Sequence, residues 1–138
     1  MASLALKDCI KEISQYAILS HTWLHSAPEV TYEDWHGGEI NTTHEGYRKL
    51  VNFCRVTEAD HGITLGWMDS ICTDKSSSAE LDESIRSMYK WYQNTKLCIT
   101  LLADTTSIGD VEQDRWFTRG WTLQELLAPQ NLKFYQRN

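Results

Sequence analysis

Residues 96–129, KLCITLLADTTSIGDVEQDRWFTRGWTLQELLAP, carry a strand-like run, a polar connector and a short helix in immediate succession. KLCITLL (96–102) is a brief, nearly continuous apolar run of the length that makes a buried strand. RGWTLQELLAP (119–129) reads as a helix. Gly120 breaks the preceding chain, Thr122 is one possible N-cap, and Pro129 stops the helix. Leu123, Leu126 and Leu127 give it a side to bury. Trp121 and Glu125 stand four apart, on one helical face near the first turn, where the helix dipole favours a carboxylate. Two readings of that pair follow. Either Glu125 is a functional carboxylate with Trp121 as a wall beside it, or it is a solvated helix acid next to a core tryptophan.

The same alternation extends outward in both directions. Upstream, YAILS (16–20) and ITLGWMD (63–69) are further strand-like runs, and downstream NLKFY (131–135) closes with another. Tyr47, Leu50, Val51 and Cys54 mark an amphipathic helix from Gly46 to about Asp60, stopped by His61-Gly62. Leu81, Ile85, Met88 and Tyr92 mark a second over 79–94, with the serines of SICTDKSSSAE (70–80) as N-caps. Residues 1–14, with Leu4, Leu6, Ile10 and Ile13, predict a lead-in helix or arm. HTWLHSAPEVTYEDWHGGEINTTHE (21–45) reads as a long irregular connection, punctuated by Pro28 and Gly37-Gly38.

Strand and helix in turn predict a single α/β domain over residues 1–138. The expected sheet is parallel, of four or five strands ordered 2-1-3-4 with any fifth at the edge, and with helices on both faces. Ligands of such sheets sit beyond the carboxyl ends of the strands. Three segments converge there: His21-Thr22-Trp23, Asp69 to Lys75, and Arg115 to Glu125.

Composition narrows the function classes. A chain of 138 residues is one domain, and its six Trp and six Tyr exceed what its core needs, leaving some for a site or an interface. A formal net charge of −6 argues against nucleic acid or an anionic membrane surface as partner. No apolar run is long enough to span a membrane, and the charges of MASLALKDCIKEISQ come too early for a signal peptide. The expected setting is cytosolic. Cys9, Cys54, Cys72 and Cys98 form no C-x-x-C pair and read as reduced, mostly buried thiols, which leaves the sequon at Asn41 without meaning. His21 and His25 have a zinc-like spacing but follow a strand and lack a third ligand, so no metal is expected.

YAILSHTW (16–23), GWMDSICTDKSSSAEL (66–81), SMYKWY (87–92) and RWFTRGWTLQELLAP (115–129) resemble, in order and spacing, the fungal heterokaryon-incompatibility (HET) domain, across roughly residues 16–135. HET domains are similar in turn to TIR domains. The resemblance therefore implies a flavodoxin-like fold and, from the TIR branch that hydrolyses NAD, cleavage of the nicotinamide–ribose bond. In those TIR enzymes a W-x-x-x-E-L stretch on the helix after the third strand carries the catalytic glutamate. W-T-L-Q-E-L (121–126) fits it, which implies Glu125 as catalytic carboxylate. His21, Thr22, Trp23, Asp69, Arg119 and Trp121 are then the candidate nucleotide contacts, with NAD or NADP as substrate and no resident cofactor. The family also implies self-association, and sensor domains or proteins outside this chain. The sequence departs from the family pattern at Leu24, where Gly usually follows H-T-W, at Thr73, where an aliphatic residue is usual, and in a shorter connector over 103–114.

Each candidate has a second reading. Trp23 either stacks on the ligand or fills the core. Asp69 and Asp74 either orient ribose or cap the next helix. Arg115 or Arg119 meets the pyrophosphate or serves surface solubility. Glu80 and Glu83 fit as first-turn helix acids. Cys72 with His21 has the composition of a nucleophile–base pair if the fold brings them together. Two functions follow from the resemblance: a cell-death effector that hydrolyses NAD, or a homotypic signalling module without turnover.

Overall fold

The computed structural model describes residues 15–24, 27–119 and 122–136, with 122–124 described by their backbone. Residues 1–14, His25, Gly120 and Trp121 lie outside that set, and with them the expected lead-in segment and the aromatic wall. Four parallel strands form one sheet: β1 (Tyr16–His21), β2 (Leu65–Trp67), β3 (Leu97–Leu102) and β4 (Leu132–Gln136), in the order β2-β1-β3-β4. This is the expected topology, with β1 at the centre. Registers run Ile18 to Trp67 on one side of β1 and Ser20 to Thr100 on the other.

Helices cover both faces, completing a flavodoxin-like α/β arrangement. They are α1 (Tyr32–Gly37), α2 (Glu45–His61), α3 (Asp69–Cys72), α4 (Ser78–Asn94) and α5 (Thr122–Leu127). Because side chains alternate along a strand, β1 feeds two cores. Ala17 and Leu19 pack with Leu50 and Phe53 of α2, whereas Ile18 packs with Tyr92 of α4, Cys98 of β3 and Ala128. Burial on both faces accounts for the unbroken apolar character of YAILS.

Local chemistry explains the boundaries. Gly62, at φ +64°, ends α2 in a left-handed turn in which its N–H and that of Ile63 satisfy the carbonyls of Glu58 and Thr57. The Ser77 hydroxyl caps α4 at Glu80 N–H. The long connection over 21–45 is not irregular throughout, because Thr31 and Asp34 form a reciprocal capping box that starts α1. The polar connector after β3 folds into two 3-10 turns, Ile108–Gln113 and Arg115–Thr118. Asp114 fastens it, accepting from Asp104 N–H, the Thr105 hydroxyl and Trp116 N–H.

Three helical faces are rotated from their expected positions. In α2 the buried set is Gly46, Lys49, Leu50, Phe53 and Thr57, while Val51 and Cys54 face solvent. Here a lysine counts as interior because a carboxylate meets it there, and Gly46 permits the approach: a Cβ would run into the Pro28 carbonyl. In α4 the shift is slight: Tyr92 is buried and Leu81 and Met88 half-buried as the stripe predicts, but Ser84 is buried and Ile85 exposed. In α5 Leu126 and Leu127 are exposed, and among its described side chains the buried one is Glu125. Among the described residues, no helix is long and apolar enough to cross a membrane.

Candidate functional site

The carboxyl ends of β1 and β3 carry two bonded groups of polar side chains, one on each face of the sheet. Ser20 and His21 are successive residues at the end of β1 and so point to opposite faces. On the α4–α5 face, Glu125 is only 4 % exposed. Its Oε2 accepts from the Ser20 hydroxyl at 2.9 Å, and its Oε1 from the Tyr92 hydroxyl at 3.0 Å and an Arg119 Nη at 3.1 Å. The Ser20 oxygen in turn accepts from Trp116 Nε1 at 2.6 Å. Trp116 is fully buried, delivered by the Asp114-capped turn. Glu125 is thus no solvated helix acid. It is an interior carboxylate fixed by two hydroxyls and one cation.

That carboxylate shapes its surroundings. Burial pushes the Tyr92 hydroxyl well above the ordinary range, and the nearby Glu125 charge adds to the effect, so Tyr92 stays a donor. Burial and the same charge push the Cys98 thiol up to about 12.

On the opposite face, His21 Nε2 meets Asp69 Oδ1 at 2.7 Å. Trp23 Nε1 donates to the other Asp69 oxygen at 3.0 Å, and the Lys75 ammonium lies 3.4 Å from it. Lys75 also sits 3.6 Å from the centre of the Trp23 ring, a cation–π contact. Burial by itself would raise the Asp69 pKa, but the hydrogen bond and charge of His21, the Lys75 charge and the Trp23 hydrogen bond outweigh it. Asp69 is held well below the usual carboxylate range. Behind His21, Glu29 accepts from Lys49 Nζ at 2.6 Å and from Leu24 N–H at 2.9 Å, and Lys49 also reaches the Thr22 carbonyl at 3.1 Å. Lys49 is buried, which lowers its pKa against the opposing pull of Glu29.

The expected residues therefore fall into two sets. His21, Trp23 and Asp69 are joined directly, with Thr22 tied in through its carbonyl; Glu125 and Arg119 form the other set. Trp121 lies outside the described residues. Trp23 is no core tryptophan, since it is 38 % exposed and hydrogen-bonded at its edge. Asp69 does not cap a helix with its side chain, which is spent on His21 and Trp23; Asp74 instead receives Ser76 N–H and its hydroxyl in the turn before α4. Glu80 lies in the first turn of α4 as expected, whereas Glu83 falls beyond it. Arg115 is committed to a two-pronged bond with Asp104 at 2.6 and 2.9 Å and is not the cation beside Glu125. Cys72 makes no pair with His21, whose Nε2 is taken by Asp69, and burial raises the Cys72 thiol pKa. At Leu24 the backbone that glycine would free is pinned to Glu29. Ser20, Tyr92, Trp116, Glu29 and Lys49 belong to the site without having been singled out from sequence. The remaining signal was positional: Ser20 precedes His21 on the central strand, and Tyr92 ends the stripe of α4.

Comparison with known proteins bears on this arrangement. Residues 16–111 match the family model described as heterokaryon incompatibility protein (HET). That match ends before the Arg119–Glu125 segment. The chain is also similar to vegetative incompatibility protein HET-E-1 of Podospora anserina, at 41% identity over 137 residues, covering 91% of this chain and 10% of that protein. The chain thus spans about a tenth of the length of the curated relative it matches. No solved structure matches it.

Proposed function

The chain belongs to the heterokaryon incompatibility (HET) family, and from that premise we propose that it is a fungal incompatibility effector domain that promotes cell death by hydrolysing NAD, with Glu125 as catalytic carboxylate. One observation carries the reading. Glu125 is an interior carboxylate at the carboxyl edge of a parallel sheet, held by Ser20, Tyr92 and Arg119, where such folds place ligands. Loss of nicotinamide leaves positive charge at the ribose anomeric carbon, and a fixed carboxylate in a water-poor site stabilises that charge. Nicotinamide departs from a cationic pyridinium and needs no strong acid. Water adds to the anomeric carbon and gives up its proton. Ser20 and Tyr92 hold the carboxylate in place. Arg119 is the more accessible partner, 23% exposed at its side chain, and an anionic pyrophosphate competes for it, leaving the Tyr92 hydroxyl as the remaining donor to Oε1. Trp23 offers an aromatic surface at the same edge.

The depth of Glu125 favours a second reading. A carboxylate with three partners and 4 % exposure also works as a structural clasp. The domain is then a homotypic module without turnover. Exposed Phe117, Leu127 and Phe134, the last on edge strand β4, supply apolar surface for self-association.

The test compares nicotinamide release from the wild type and Glu125→Gln. Gln keeps the shape and removes the charge, so a catalytic role predicts a loss on the order of 10²–10³ in rate. Thermal melting controls for folding, since a buried site predicts a cost of about 1–3 kcal/mol for mismatched donors. Equal release from both proteins refutes catalysis by Glu125. No release from either, at concentrations where light scattering shows oligomers, favours the signalling module.

A further inference from the structure

We propose that the cavity on the α2 face of the sheet is a binding site for a small amphipathic anion, an aryl or acyl body carrying one carboxylate, sulfonate or phosphate. The cavity measures about 430 Å³, within the range of small-molecule sites. It lies across the sheet from Glu125, beneath the His21–Leu24 loop.

Its origin is geometric. A helix with its side chains is about 10 Å wide and strands are about 4.8 Å apart, so one helix covers roughly two strands. On this face α2 leaves β3 and β4 partly uncovered. The floor of the gap is apolar: Leu19, Ile99 and Leu101 from the sheet, Phe53 and Val56 from α2. Its rim is not. Arg48, Asn52 and Arg55 line the cavity and recur at i, i+4 and i+7, one stripe along α2, with a single carboxylate, the already partnered Glu45, one turn before Arg48. Among the described residues both guanidinium groups lack an ion pair. Two arginines without an ion pair among the described residues, against one carboxylate at the mouth of an apolar cavity, select an anion with an apolar body. Lys49 lines the cavity too, but its ammonium is spent on Glu29 and the Thr22 carbonyl. A bound molecule would therefore rest against Leu24 and Lys49, the underside of the His21–Leu24 loop.

The full chain is titrated with anilinonaphthalene sulfonate and with N-phenyl-1-naphthylamine, which has the same aryl body and no sulfonate. The expected result is one saturable site for the sulfonate, bound about tenfold tighter than the neutral probe, equivalent to ~1.4 kcal/mol. Arg48→Gln with Arg55→Gln should erase that advantage and leave the neutral probe unchanged. Asn52→Trp, an exposed position at the mouth, should weaken both probes, with melting curves confirming the fold. Equal affinity for the two probes, or sulfonate binding indifferent to these substitutions, overturns the proposal. So does light scattering in which Asn52→Trp dissociates an oligomer, because a second copy would then be what covers this face.

Discussion

The Ser20 hydroxyl donates to Glu125 Oε2 at 2.9 Å across 105 residues of sequence, and both groups are buried. Ser20 also accepts from Trp116 Nε1 at 2.6 Å. A hydroxyl has one proton, so accepting from the indole leaves that proton directed at the carboxylate. Ser20→Ala removes both contacts without changing the strand. The expected cost is about 1–3 kcal/mol of stability, read as a lower urea midpoint with an unchanged slope. A change in slope would mean instead that the substitution loosens the native core.

Tyr92 and Glu125 should be energetically coupled. Tyr92→Phe keeps the buried ring and deletes only the donor to Oε1, for an expected loss of about 1 kcal/mol. Because the tyrosine pKa is raised, this donor is present throughout neutral and mildly alkaline pH. Combined with Glu125→Gln, the loss should fall short of the sum by about 0.5–1 kcal/mol, the low end of the range for residues in direct contact. Strict additivity in denaturant titrations would show that the hydrogen bond contributes nothing.

The parallel sheet was legible from the sequence because it rests on period and length. YAILS and KLCITLL are short apolar runs between amphipathic segments, and only a parallel sheet buries such runs on both faces. The convergence of His21, Trp23 and Asp69 was legible for the same reason, since all three follow strand ends. The Ser20–Glu125 contact was not. Periodicity assigns a residue to a face but does not say which side chain arrives from another element. Nothing in the sequence pairs Lys49 with Glu29, twenty residues apart, and Trp116 lies in a connector that Asp114 folds inward. The α2 stripe differs for this reason: apolarity marks a face, but an ion pair at Lys49 sets which face is buried. The capping box at Thr31 was written in the sequence as T-x-x-D and explains α1.

Asp69 should leave a signature in the acid limb of stability. Its carboxyl is held below the unfolded value of about 3.9 by His21, Lys75 and Trp23, against the upward push of burial. A depressed folded pKa means the unfolded state binds the proton first. The stabilisation is therefore fully present above the unfolded pKa and is lost as pH falls through the folded one. Asp69→Asn should destabilise the protein at pH 7, with the difference from wild type shrinking steadily as pH falls below about 4. A difference independent of pH between 7 and 3 would show that Asp69 acts by shape alone.

The Lys49–Glu29 pair tests whether charge inside this fold stabilises or specifies. The groups meet at 2.6 Å with side chains 4% and 2% exposed. Glu29 also receives Leu24 N–H, so the pair anchors the loop that carries Trp23. Breaking a buried pair strands a charge, and Lys49→Met is expected to cost about 3–5 kcal/mol. Replacing both, Lys49→Met with Glu29→Leu, removes the stranded charge and should recover much of that loss, as exchange of a buried pair for apolar groups often does. The recovered protein would still lack the acceptor for Leu24 N–H and the donor to the Thr22 carbonyl. Its melting temperature should approach wild type while exchange of the Leu24 amide speeds up, seen by hydrogen–deuterium exchange. If the double variant matched wild type in both, the pair would be neutral for stability and idle in loop placement. If it were no better than Lys49→Met, the pair would stabilise by more than the desolvation it costs.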